Sequence, residues 1–74
     1  MSDREQLIKT LVDKARMTLD PSEGIDHVNT LTSFGEEGLP GLASIIEDPT
    51  VNGRVIEVAQ NAIKRINQGL VWRF

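Results

Sequence analysis

The sequence predicts an all-α protein of four helices, arranged as two antiparallel hairpins. Apolar residues recur at three- and four-residue spacing in four separate segments. Helix-starting and helix-stopping residues stand between those segments, most sharply at Asp20-Pro21 and Asp48-Pro49. The stretch from Gly35 to Ile66 holds two amphipathic patterns joined by so short a turn that they must lie antiparallel.

The first helix is expected from Ser2 or Asp3 to about Thr18. Leu7, Ile8, Leu11, Val12 and Ala15 form its apolar stripe, which Leu19 extends. Gln6, Lys9, Asp13 and Arg16 form the solvated side. Ser2 as N-cap and Glu5 three residues later make a capping box. In the second helix Asp20 serves as N-cap, Pro21 as the first helical residue and Glu23 as the third, each favoured there for its own reason. Ile25, Val28, Leu31 and Phe34 follow, spaced strictly by three, and Gly35 ends the helix. Gly24 weakens this helix by about 1 kcal/mol relative to alanine.

The third helix is expected to begin near Glu36 or Glu37, where carboxylates meet the positive end of the helix dipole. Pro40 fits only in or near its first turn. Leu39, Leu42, Ala43, Ile45 and Ile46 make its apolar face, and Asp48 before Pro49 ends it. The fourth helix runs from about Asn52 to Gln68. Val55, Ile56, Ala59, Ala62, Ile63 and Ile66 cover one side, with Val58 at its edge, and Gly69 is the stop. Asn52-Gly53 can also open a β-hairpin, but neither flank alternates apolar with polar residues.

Bulk properties narrow the class. Seventy-four residues make one domain near the lower size limit for a single core. There is no cysteine and one histidine, so disulfides, thiolate metal sites and histidine-rich zinc sites are excluded. The net charge is -3, unevenly spread. Between Met17 and Gly53 there are seven acidic residues and no lysine or arginine, whereas both flanks are mildly basic. That polarity suits a protein partner, or head-to-tail self-association, better than a phosphate backbone. No apolar run approaches the roughly 20 residues of a membrane span. The opening residues do not form a signal-peptide core. The expectation is a cytoplasmic protein that binds neither membrane nor nucleic acid.

The order Leu39-Pro40-Gly41-Leu42, a closing Asp48, then Val55, Ala59, Ala62, Ile63 and Ile66 resembles a HEAT repeat. The variety is that of phycobilisome-lyase-like proteins. Residues 36–68 match it well, residues 1–35 read as a degenerate earlier repeat, and residues 69–74 are an apolar tail. The resemblance implies two stacked hairpins, a short α-solenoid. Ile56 stands where that family usually places an arginine, so the family's tie from this helix to Asp48 does not carry over. A generic four-helix bundle shares much of the same periodicity.

The resemblance also implies a protein–protein interaction module, not an enzyme. An accessory or assembly subunit of an enzyme complex is the alternative, and a nucleic-acid binder or a self-assembling structural protein follows behind. In the family, the second helix of each repeat lines a concave inner surface. Carried over, that surface holds Glu23, His27 and Thr30 from the second helix and Glu57, Asn61 and Lys64 from the fourth.

Other candidates read as structural. His27 and Glu23 lie one turn apart, but two ligands do not close a zinc site. Gly35, Gly38 and Gly41 could cradle an anion, yet Glu36 and Glu37 would repel it, so a helix cap followed by close packing is the better reading. Glu36/Glu37 and Glu47/Asp48 sit at helix ends, and no nucleophile has a base to activate it. No cofactor is implied. In the tail, Trp72 and Phe74 either cover the open end of the helix stack or anchor a partner or a second copy.

Overall fold

The computed structural model describes residues 3–69, and within them the chain is helical with no strand. The helices are α1 (Asp3–Met17), α2 (Pro21–Thr32), α3 (Leu39–Glu47) and α4 (Gly53–Asn67), with a 3₁₀ turn at Gly35–Gly38 before α3. Ser2 and the tail residues Trp72 and Phe74 lie outside the described residues, and so do the roles expected of them.

Local chemistry explains most boundaries. Asp20 caps α2, its Oδ1 accepting from the Ser22 N–H at 2.9 Å, with Pro21 as first helical residue. Glu23 does not close a capping box. The Asp20 N–H donates instead to Thr18 Oγ1 (3.2 Å), and the Thr18 hydroxyl donates to Glu23 Oε2 (3.0 Å). This relay turns the chain between α1 and α2, and it corrects the expectation for Leu19, which is fully exposed instead of extending the α1 stripe. Leu7, expected in the same stripe, is half exposed.

Gly35 adopts φ 66°, the left-handed conformation expected of a helix-ending glycine. The third helix then starts later than Glu36 or Glu37. Pro40 has no N–H to bond back to the Glu36 carbonyl, so a full α turn cannot form there. Glu36 O accepts from Leu39 N–H in the tighter i→i−3 pattern, and α3 begins only at Leu39. Asn52 is an N-cap, its Oδ1 accepting from Arg54 N–H at 2.9 Å. Gly69, at φ 71°, follows the end of α4.

The helices pack in two layers. α1 lies against α2 and α3, while α4 lies against α2 and α3, leaving α1–α4 and α2–α3 across the diagonals. Arg4, at the start of α1, pairs with Glu37 beside the start of α3 (Nη1–Oε1 3.0 Å). Arg16, at the end of α1, pairs with Asp48 just past the end of α3 (Nε–Oδ2 2.8 Å). Contacts at both ends mean that α1 and α3 run in the same direction. α2 and α4 each return through a short connection from α1 and α3, and Gly24 near the start of α2 faces Val55 near the start of α4, so these two helices also run in the same direction.

Two glycines set how closely the hairpins approach. A Cβ on Gly41 of α3 would sit 2.6 Å from Val12 Cγ2 of α1, and one on Gly24 of α2 would sit 2.8 Å from Val55 Cγ2 of α4. Gly24 therefore does more than weaken α2, because its missing side chain is the space that Val55 occupies. The core between the layers includes Val28, Leu31, Leu42, Ile45 and Ala59, all fully buried. Val51, in the α3–α4 connection, joins it.

Asp48 organises that connection. Its Oδ1 accepts from the Thr50 N–H (2.9 Å) and the Thr50 hydroxyl (2.6 Å), and its Oδ2 accepts from Arg16. The Thr50 hydroxyl first, then Arg16, hold its carboxyl at about 2, below the ordinary 3.8. The folded-state pKa is the lower one, so Asp48 contributes stability above about pH 4 and loses that contribution as pH falls toward about 2. Thermal melts followed by circular dichroism between pH 5 and 2 are expected to show a steeper acid loss in wild type than in Asp48→Asn. Equal slopes would show that the ion pair carries no stability.

Candidate protein-binding surface

The side-by-side seating of α2 and α4 leaves a groove on their solvent face. Ile25, Val58 and Ala62 form its apolar floor. Asn29 from α2 and Asn61 and Arg65 from α4 line it as well, and all three are exposed. The groove measures about 290 Å³. That is room for a side chain or two and too little for most cofactors. Among the described residues Arg65 is the one charged residue lining it. Thr32, at the far end, spends its hydroxyl on the Val28 carbonyl (2.8 Å).

Helical periodicity decides which expected residues reach this groove. With 3.6 residues per turn, Ile25, Asn29 and Thr32 share one edge of α2, and Glu23, His27 and Thr30 lie on another. Asn61 lines the α2–α4 groove. Glu57 and Lys64, one turn to either side of it, are exposed on the same helix. Glu23 and His27 are turned toward α1 and line a separate, open cleft of about 700 Å³ with Thr10, Lys14 and Met17. Thr30 is exposed, its hydroxyl donating to the Asp26 carbonyl of its own helix (3.0 Å). The structure thus does not bring the six carried-over residues onto one surface.

A scan against protein-family models and searches of curated proteins and solved structures returned no match to this chain. Its own geometry is therefore the basis for a functional reading.

The α1–α2 cleft is the larger depression, and it gathers Asp13, Lys14, Glu23 and His27. The Glu23 carboxylate is already engaged by Thr18. Among the described residues, no group of three or more histidine or carboxylate side chains is placed to hold a metal ion. No helix there is long and apolar enough to cross a membrane.

Asn29 and Arg65 escaped the sequence reading of the binding surface. A signal for them exists: Ile25, Asn29 and Thr32 recur in kind as Val58, Asn61 and Arg65, an aliphatic residue, an amide and a polar residue on each helix. Arg16 was expected on the solvated side of α1. Its tie to Asp48, whose side chain is 12% exposed, needs tertiary knowledge, since 32 residues separate the partners.

Proposed function

We propose that this chain is a small protein–protein interaction module, built as two HEAT-like hairpins whose α2–α4 face receives a protein partner. The observation that carries the reading is the parallel seating of the hairpins, α1 on α3 and α2 on α4. An up-and-down bundle sets α1 beside α4 and reverses direction between neighbours. A stacked helical repeat does the opposite, placing equivalent helices side by side in the same sense. The spacing agrees, because the ion pairs linking α1 to the ends of α3 join residues 33 and 32 positions apart.

Such stacking gathers the second helices into one face. That face is mostly polar and exposed around a small apolar groove, which suits a reversible partner better than an obligate one. Catalysis has no comparable support: in the charged cleft between α1 and α2, the described hydroxyl–carboxylate pair, Thr18 with Glu23, is engaged in the turn between the helices, where Thr18 Oγ1 also accepts from the Asp20 N–H.

The test uses exposed residues on α4. Affinity purification from the native cell, with wild-type protein as bait, identifies what it binds. The double variant Glu57→Lys, Lys64→Glu is expected to lose most of that partner while its circular dichroism spectrum and melting temperature stay unchanged. Full retention of the partner by the folded variant contradicts this placement of the surface.

A further inference from the structure

The chemistry of the α2–α4 groove narrows the kind of partner. We propose that it holds an extended peptide segment, with an aliphatic side chain on its floor and a carboxylate, within three residues of it, on Arg65. This rests on the α2–α4 face being the partner surface, and it adds which backbone conformation and which side chains that surface selects.

Asn29 and Asn61 select the backbone conformation of the bound segment. A primary amide offers both donors and an acceptor, matching the N–H and C=O of a peptide bond. Neither side chain is engaged by another described residue, so both remain available. An extended segment presents free backbone groups for such pairing. A helix has already spent most of its own internally, so amides here favour the extended form.

The floor selects an apolar side chain. Ile25, Val58 and Ala62 offer apolar surface in a space of about 290 Å³, which admits an aliphatic side chain with room to spare. Removing an aliphatic side chain from water there favours binding through the hydrophobic effect.

Charge selects the acid. Among the described residues Arg65 is the sole charge lining the groove, and no other described residue pairs with it. Its planar guanidinium matches a carboxylate through two parallel hydrogen bonds. A nucleic-acid strand fits poorly, because it needs several cations along its path and meets one here. Asp26 and Glu57, exposed on the same two helices, would further repel a polyanion.

A library of random heptapeptides displayed on phage, selected on the full chain, tests the proposal. Enriched peptides are expected to share an aliphatic residue with Asp or Glu within three positions. One such peptide, synthesised and labelled, should lose about tenfold in affinity against Arg65→Glu. Selection on that variant should enrich Lys or Arg in place of the acid. Asn29→Ala and Asn61→Ala should each weaken binding severalfold, as should N-methylation of the peptide backbone beside the aliphatic residue. All three protein positions are exposed, so unchanged circular dichroism separates lost binding from lost folding.

The proposal is overturned if no peptide is enriched, if enriched peptides lack the acid, or if Arg65→Glu binds them equally. Binding as a helix, seen as induced helicity in the peptide, overturns it too. The interaction-module reading is judged separately, by whether the Glu57→Lys, Lys64→Glu variant loses its partner from the native cell.

Discussion

Leu31→Ala is expected to remove about 2–5 kcal/mol of folding stability. A domain of this size holds only roughly 4–11 kcal/mol in total, so the variant should melt about 10–30 °C lower. Leu31 is fully buried, and it sits where α2 meets the 3₁₀ turn and α3. Its Cδ2 lies 3.9 Å from the point a Gly41 Cβ would occupy, and its carbonyl oxygen closes against Gly38. Truncation there leaves a void that elements on two sides would have to move to fill. Small cores have few spare contacts with which to compensate. Leu7→Ala is the control: that side chain is 48% exposed, and the change should stay within about 0.5 kcal/mol. Thermal unfolding followed by circular dichroism compares the two.

Gly38→Ala should be destabilising by about 1–3 kcal/mol, although alanine normally favours helical backbone. Gly38 has an ordinary φ of -82°, so conformational freedom is not what it supplies. It supplies room. A Cβ there would lie 2.5 Å from the Leu31 carbonyl oxygen and 3.3 Å from its carbonyl carbon. A backbone carbonyl cannot rotate aside as a side-chain tip can, so the 3₁₀ turn and the end of α2 must separate. Gly53→Ala is the matched comparison, because nothing lies within 4 Å of its Cβ position. It should be neutral or stabilising by about 0.4–1 kcal/mol. Urea midpoints moving in opposite directions for the two alanines would confirm that space, not propensity, holds Gly38.

These residues also mark what could be read in the sequence. Helix starts were legible wherever the signal is local, as with Asp20 and Pro21 or the Asn52 cap, because an N-cap acts on N–H groups two or three residues away. The start of α3 was misplaced because two local rules conflict there. The Glu36–Glu37 dipole argument is worth a few tenths of a kcal/mol to about 1, whereas Pro40 forbids the α hydrogen bond outright. Gly24 shows the limit of propensity: its cost to an isolated helix is legible, but its fit against Val55 belongs to packing 31 positions away.

The candidate surface followed the same division. That the second and fourth helices face solvent on one side was legible from their periodicity. Which edge of α2 turns toward α4 was not, since it depends on where Val28, Leu31 and Gly24 bury. That rotation sends Glu23 and His27 to the α1 cleft and Asn29 to the groove.

The central claim is that α1 seats on α3, and α2 on α4, each in the same direction, so that α2 and α4 share one face. Nuclear Overhauser contacts in the full chain test it directly. Strong contacts are expected from the Gly41 Hα protons to the Val12 methyls and from the Gly24 Hα protons to the Val55 methyls. Absence of both, with extensive contacts between α1 and α4 in their place, would contradict it and leave an ordinary bundle without the shared face.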